Sequence, residues 1–176
     1  MPPGDWISLP ATLGGIAAKL PRPLTVTLEK NLVQMGCETR VDVPAGGVEP
    51  FVLSEADVPE MLALTALTHP GPFRSQTYTL GTYLGVRVDG RLAAMAGQRM
   101  HVPGYREISA VCTHPDFQGR GYARMLVSRL VAETFDRGLV PFLHVEEANE
   151  RAQALYRGLC FVERARLPLL VIERIR

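Results

Sequence analysis

The sequence has little of several features that define whole classes of protein. Its three cysteines (Cys37, Cys112 and Cys160) are scattered, and no CxxC pair or Cys/His cluster occurs, which argues against a disulfide framework and a zinc site. The formal net charge is only +1, so we expect no binding to nucleic acid or to an anionic membrane surface. No apolar run is long enough to span a bilayer. A small molecule or a peptide is a better partner for such a chain than a polyanion.

The first residues also lack the marks of a secretion signal. Asp5 precedes any basic residue, and no apolar core of a signal peptide follows it. We therefore expect a cytoplasmic protein with reduced thiols. The sequence leaves the oligomeric state open, a homodimer included.

Length and composition are those of one folded domain. Apolar residues make up 47% of the 176 residues and charged residues 21%, which is ordinary for a globular protein. Residues 1–48 are interrupted by prolines, and we predict an N-terminal extension with short strands at 24–28 and 32–35. One domain is predicted over residues 49–176.

The middle of this domain has the pattern of antiparallel strands. Asp89-Gly90 lies between two apolar runs, 83–88 and 92–100, which predicts a hairpin with a two-residue turn. A second turn at Pro103-Gly104 leads into a predicted strand over 107–113. Three successive antiparallel strands are therefore expected here.

Helical patterns lie on both sides of these strands. Ser54, followed three residues later by an acid, resembles a capping box, and His69-Pro70 ends the predicted helix. A second helix, with apolar residues at three- and four-residue spacing, ends at Gly138. Asn149 caps a short third helix, and Pro168 separates two closing strands. The predicted bounds of the last three strands are 140–145, 161–166 and 169–175.

The loop before the second helix is Gln118-Gly119-Arg120-Gly121-Tyr122-Ala123. A helix N-terminus offers unpaired N–H groups and a partial positive charge, which suit a phosphate. Its glycines permit positive φ angles, and Arg120 and Arg124 add charge. A tight turn that needs glycine only for its geometry explains the same residues. A Rossmann site would need a third glycine after a parallel strand, and a P-loop would need a G-K-[ST] ending.

The residues around the loop carry a resemblance to a known family. The run Glu107-Ile108-Ser109-Ala110-Val111-Cys112-Thr113-His114-Pro115, then the loop, then Asn149, Tyr156 and Phe161, closely resembles the GNAT superfamily of acyl-CoA N-acyltransferases over residues 50–176. Its loop pattern Q/R-x-x-G-x-G/A is matched by Gln118, Gly121 and Ala123. The resemblance implies an α/β fold of the α+β type. It consists of a mixed, mostly antiparallel sheet flanked by helices, with the cofactor at the splay between the two central strands.

The resemblance also implies how coenzyme A is bound. The pantetheine arm would meet the backbone of Val111, Cys112 and Thr113, which requires a free strand edge from a bulge or a splay. Asn149 would contact the same arm from the next helix. The pyrophosphate would bind the backbone amides of Gln118, Gly119, Arg120, Gly121, Tyr122, Ala123 and Arg124.

Two side chains are candidates for proton transfer. Tyr156 matches the tyrosine of the family, and a phenol with a pKa of ~10 suits donation to a leaving thiolate. A ring packed in the core is the alternative. Glu107 matches the base of some members, acting directly or through water, and an ion pair with Arg99 or Arg106 is the alternative. Strand alternation predicts one face for Glu107, Ser109, Val111 and Thr113.

The remaining reactive side chains are weaker candidates. We expect packed or hydrogen-bonded rings for His101 and His144, and a structural or solvent-exposed ring for His114. Cys112 is expected to pack on the face opposite Val111 and to be no nucleophile. Cys160 stands where the family often has glycine before Phe161, and Gly158 is expected to end the helix instead.

The expected activity is acetyl transfer from acetyl-CoA to a primary amine of a small molecule, an amino acid derivative or a peptide. The amine would attack the thioester directly in a ternary complex, without a metal. The acceptor site would be built from the first helix, the loop Pro70-Gly71-Pro72-Phe73 and the hairpin up to Met100. Two alternatives stay open: a non-catalytic acyl-CoA-binding module and a transferase for a different acyl-CoA. Retention of both Tyr156 and Glu107 favours an enzyme.

Overall fold

A computed structural model describes residues 6–10, 24–43 and 48–174. The chain forms two compact units. The larger consists of Gly36–Leu143 and Leu155–Val162, and the smaller of Met1–Met35, His144–Ala154 and Glu163–Arg176. In the described part of the chain, no helix is long and apolar enough to cross a membrane.

The larger unit is built on a sheet with the strand order β7-β6-β5-β4-β3. Neighbouring strands are antiparallel except β6 and β7, which are parallel. The mixed, mostly antiparallel sheet expected from the sequence is therefore confirmed. Its strands are β3 (Phe51–Val52), β4 (Tyr83–Val88), β5 (Arg91–Val102), β6 (Tyr105–Thr113) and β7 (Val140–Glu146), of which β7 continues into the smaller unit.

Helices α1 (Val58–Thr68) and α2 (Tyr122–Asp136) cover opposite faces of this sheet. On β5, Met95 joins a buried cluster with Met61 of α1, whereas the Gln98 amide donates a hydrogen bond of 3.1 Å to Thr134 of α2. Residues three apart on a strand point to opposite faces, which assigns one face to each helix. Because β5 is covered on both sides, its residues 92–98 are all buried.

The predicted turns and helix ends are largely confirmed. Asp89 and Gly90 have φ angles of 50° and 76°, the left-handed pair that a type I′ hairpin turn requires. Before α1, the Asp57 carboxylate accepts hydrogen bonds of 2.9 Å from the N–H and the hydroxyl of Ser54. A short 3-10 turn follows Ser54, so the α-helix itself begins at Val58. His69 ends it in a left-handed conformation.

The smaller unit contains β1 (Trp6–Pro10), most of β2 (Leu24–Gly36), the end of β7, the start of α3 (Glu150–Arg157) and most of β8 (Val162–Arg174). Its strand order is β1-β8-β2-β7, and β1 pairs antiparallel with β8.

Two expectations about these strands are wrong, because each predicted pair of strands is one continuous strand. In β2, the polar residues between the two apolar runs do not interrupt pairing, since the Asn31 carbonyl accepts a hydrogen bond of 2.9 Å from the Glu147 N–H. In β8, Pro168 lies just before the ladder to β1, which begins at Leu169. Its missing N–H therefore costs no ladder bond there.

The turn after α3 has an unusual residue at its key position. Cys160 takes the left-handed conformation, with φ of 62°, and its amide donates to the Arg157 carbonyl at 3.1 Å. Helix α3 ends at Arg157, directly before Gly158, as expected, but the left-handed position of the turn is filled by Cys160, which is exposed.

A glycine at this position should stabilise the chain. The left-handed conformation costs a residue with a Cβ about 1–2 kcal/mol, part of which is offset by the entropy of glycine in the unfolded chain. We expect Cys160→Gly to raise the free energy of unfolding by about 0.5–1 kcal/mol. Urea denaturation measures it, with Cys160→Ala as the control for loss of the thiol. Equal stability of the two variants would rule out backbone strain at this turn.

Candidate active site

The loop before α2 forms a cradle of free backbone amides. The first hydrogen bond of the helix runs from the Met125 N–H to the Gly121 carbonyl, at 3.0 Å. The N–H groups of residues 119–124 have no hydrogen-bond acceptor within the described part of the chain. Gly119 and Gly121 both take left-handed φ angles, of 78° and 79°. Alternation of this kind turns successive N–H groups inward, as in anion-binding nests.

Arginines add positive charge beside this cradle. Arg120 and Arg124 have no ion-pair partner among the residues that the structure describes. The Arg120 guanidinium lies 5.1 Å from the centre of the Phe117 ring, and the Arg91 guanidinium lies 5.3 Å from it. Arg91 is held in turn by the His114 ring at 3.1 Å. The cradle and these charges together suit a pyrophosphate.

Strand β6 has a bulge next to the cradle. Its register with β5 pairs Ser109 with Gly97 and Cys112 with Met95, so an extra residue is inserted in β6. Ala110 within this bulge has a left-handed φ of 52°. On its other side, β6 pairs with β7 only up to Glu107, so its edge from residue 108 onward has no strand partner in the larger unit. A bulge and a free edge are what a pantetheine arm at residues 111–113 requires.

The bulge corrects the predicted face of β6. Directly paired residues on antiparallel strands point to the same face. Ser109 and Cys112 therefore share the face of Gly97 and Met95, which α1 covers, whereas Thr113 shares the opposite face with Ala94. The expectation of one face for Glu107, Ser109, Val111 and Thr113 is wrong, because the extra residue inverts the alternation. Cys112 packs against α1, on the side of Ser109.

Tyr156 stands at the end of α3 with most of its surface covered. Its side chain is 7% exposed, and its ring lies 5.9 Å from the ring of Phe161. Its carbonyl accepts hydrogen bonds from the N–H groups of Leu159 and Phe161, which pin the turn after the helix. Burial, with a smaller contribution from the neighbouring Cys112, raises the pKa of Tyr156 above its ordinary value. The phenol therefore keeps its proton across the physiological range.

Glu107 is a buried carboxylate in a bidentate ion pair. It is 1% exposed, and both of its oxygens accept hydrogen bonds of 2.9 Å from Arg99. The Arg99 side chain is 25% exposed. Burial would lower the pKa of Arg99, but its hydrogen bond and charge interaction with Glu107 outweigh that effect and raise it. The arrangement holds the carboxylate in one orientation.

The other predicted site residues lie as follows. Asn149 belongs to the smaller unit, where its side-chain oxygen accepts from the Ala152 N–H at 3.0 Å and caps α3 as predicted. His144 is hydrogen-bonded to Gln34 at 3.1 Å. Burial raises the pKa of the Cys112 thiol to about 11, which makes it a poor nucleophile. No group of metal-binding side chains occurs among residues 6–10, 24–43 and 48–174.

Comparison with known proteins shows the family to which this chain belongs. The FR47-like protein family matches residues 83–167. The alanine N-acetyltransferase of ribosomal protein bS18 from Salmonella typhimurium is 33% identical over 64% of this chain and 79% of its own length. The chain belongs to the GNAT family. A solved GNAT acetyltransferase structure, from Novosphingobium aromaticivorans, is 38% identical and superposes with a TM-score of 0.83 over 97% of this chain and 74% of that one.

The chain is thus a GNAT acyl-CoA N-acyltransferase. The N-alpha-acetyltransferase RimI from Mycobacterium tuberculosis is a further relative, 38% identical over 45% of this chain and 51% of its own length. GNAT acetyltransferases use acetyl-CoA.

Two residues of the larger unit have a place near Glu107 that the sequence did not indicate. Arg99 was one of two alternative partners of Glu107, and Tyr83 was only the start of a predicted strand. Both lie outside residues 107–161, which carry the GNAT resemblance. A polar residue inside an otherwise buried strand was the one available signal for Arg99, since such groups need a partner.

Proposed function

We propose that this GNAT chain transfers an acetyl group from acetyl-CoA to a primary amine of a peptide, an amino acid derivative or a small molecule. The observation that carries the proposal is the cradle of unbonded N–H groups at residues 119–124, adjoining the free edge of β6. Relatives named for acetylation of α-amino groups support an α-amine as the acceptor.

In the proposed reaction the amine attacks the thioester carbonyl directly in a ternary complex. The carbon–nitrogen bond forms, the carbon–sulfur bond breaks, and the thiolate of coenzyme A leaves. Tyr156 gives its proton to that thiolate, and Glu107 takes up the proton that the amine loses, through water. Binding both substrates side by side supplies most of the remaining rate enhancement.

The pairing of Glu107 with Arg99 supports one alternative, a non-catalytic acyl-CoA-binding module. A carboxylate that already accepts two hydrogen bonds from an arginine is a weaker base than a free one. Such a module would bind coenzyme A without consuming it.

Thiol release from acetyl-CoA with a panel of amines and short peptides separates the two functions. We expect release that matches the amount of N-acetylated product seen by mass spectrometry. Binding of coenzyme A without turnover of any amine would favour the module.

Two glycine variants test the cradle within the same assay. Gly121 and Gly104 both have φ of 79°, and a Cβ at either would meet no atom within 4 Å, so alanine strains both turns alike. We expect Gly121→Ala to raise the KM for acetyl-CoA about tenfold, equivalent to about 1.4 kcal/mol, and Gly104→Ala to leave it unchanged. Equal effects of the two variants would mean that the cradle is not the cofactor site.

A further inference from the structure

The hydroxyl of Tyr83 is a buried polar group without a partner. The Tyr83 side chain is 1% exposed, and its hydroxyl makes no hydrogen bond within the part of the chain that the structure describes. Leaving such a group unpaired costs about 1–3 kcal/mol, so buried tyrosine hydroxyls are usually bonded. The hydroxyl therefore has a donor and an acceptor position open to a water or to a bound molecule.

Packing, rather than hydrogen bonding, holds this ring in place. A Cβ at Gly97 would lie 2.2 Å from the Tyr83 ring, so the ring occupies space that only glycine leaves free. The Phe73 ring packs edge-on against it, with 5.7 Å between the ring centres. Packing of the ring therefore fixes the direction of the hydroxyl, without a hydrogen bond to the described chain.

The strand register places the buried ion pair on the same face of the sheet as this ring. Tyr83 pairs with Gly97 and Gly97 pairs with Ser109, and Glu107 lies two residues from Ser109 along β6. Burial is the main cause that raises the pKa of Tyr83 to about 12, so the hydroxyl keeps its proton at physiological pH. A protonated phenol both donates and accepts a hydrogen bond.

The burial of Glu107 limits which molecule can bring a proton to it. Glu107 and Tyr83 are each only 1% exposed, so an acceptor molecule cannot reach the carboxylate with its amine. A proton that travels from the amine to Glu107 needs one small carrier between them, and water is the carrier of the right size and polarity.

We propose that Tyr83 is a positioning residue, which together with Glu107 holds the water that takes the proton from the acceptor amine. This inference rests on the proposed function. The amine nitrogen that attacks the thioester gives one proton to the water, and the water gives one proton to Glu107. A neutral amide nitrogen, a water molecule and a protonated carboxyl group result. Tyr83 donates to the water oxygen and fixes its position.

Tyr83→Phe tests the inference, because it removes only the hydroxyl. We expect kcat to fall about 10- to 100-fold, with the KM for acetyl-CoA and the melting temperature preserved. We also expect the rise of kcat/KM with pH to move to higher pH, because the amine must then lose its proton to bulk solvent. Unchanged kcat and an unchanged pH profile would overturn the inference.

Ser128→Ala is the matched control. The Ser128 hydroxyl is also buried without a partner in the described chain, but it belongs to α2, on the opposite face of the sheet from Tyr83. We expect parent kcat and pH profile from it. The same loss of activity in both variants would assign the effect of Tyr83→Phe to general packing.

Diffraction from crystals of the parent with coenzyme A gives a readout that needs no turnover. We expect an ordered water within hydrogen-bond distance of both the Tyr83 hydroxyl and the Glu107 carboxylate. Absence of that water would overturn the inference even if the enzyme is active. A parent that turns over no amine but holds the water would instead refute the proposed function alone.

Discussion

Tyr156→Phe is expected to lower kcat about 10²- to 10³-fold while the KM for acetyl-CoA stays within about twofold of the parent. The ring would still pack on Phe161, so the variant loses only the proton donor. Without that donor the thiolate of coenzyme A must leave unprotonated. Steady-state kinetics with a fixed amine measure both constants.

The pH profile and a control variant sharpen this prediction. Because burial raises the pKa of Tyr156, we expect no alkaline loss of kcat near ~10, where an ordinary phenol ionises. Tyr105→Phe is the control, since Tyr105 is 48% exposed at the start of β6 and is expected to leave kcat unchanged. Parent kcat in Tyr156→Phe would refute the role of Tyr156 as the acid.

Arg99→Ala is expected to lower the free energy of unfolding by about 3–5 kcal/mol. The substitution leaves the Glu107 carboxylate, 1% exposed, without the guanidinium that bonds both of its oxygens. A buried charge that loses such a partner is costly because the interior solvates it poorly. Urea denaturation measures the change.

Two further variants separate the cost of the buried Glu107 charge from the effect of removing the arginine side chain. The double variant Arg99→Met with Glu107→Gln removes both charges and should recover most of the loss. Arg129→Ala breaks an exposed pair, with Glu49 at 81% and Arg129 at 43% exposure, and should change stability by under about 1 kcal/mol. A loss in Arg99→Ala no larger than that in Arg129→Ala would contradict the account of Glu107.

Local sequence signals predicted the turns and helix ends that only a few residue types can form. Asp89-Gly90 gave the hairpin because few residue pairs tolerate two left-handed conformations in succession. Gly119 and Gly121 gave the cradle for a similar reason. The predicted helix cap at Asn149 and the end of α1 at His69 were also confirmed.

The sequence could not show which face of the sheet each residue of β6 occupies. Ala110 takes its left-handed φ in a bulge, yet alanine is not a residue that marks such a position. Alternation counted through the bulge therefore gave the wrong face for Thr113. Cys160 is a similar case, because a residue that carries a Cβ takes the left-handed conformation there.

Polar pairing inside the core was equally hard to predict. Whether Arg99 meets Glu107 depends on the register between β5 and β6, which shifts between Gln98 and His101. The place of Tyr83 depends on the missing side chain of Gly97 across the strand pair. Such contacts between strands are set by three-dimensional register rather than by local pattern.

The central claim is that the amides of residues 119–124 bind the pyrophosphate of coenzyme A. Titration of the ¹⁵N-labelled chain, followed by nuclear magnetic resonance, observes these amides directly. We predict that coenzyme A shifts their resonances strongly and that pantetheine, which lacks phosphate, leaves them in place. Resonances that respond equally to both compounds, or to neither, would contradict the account.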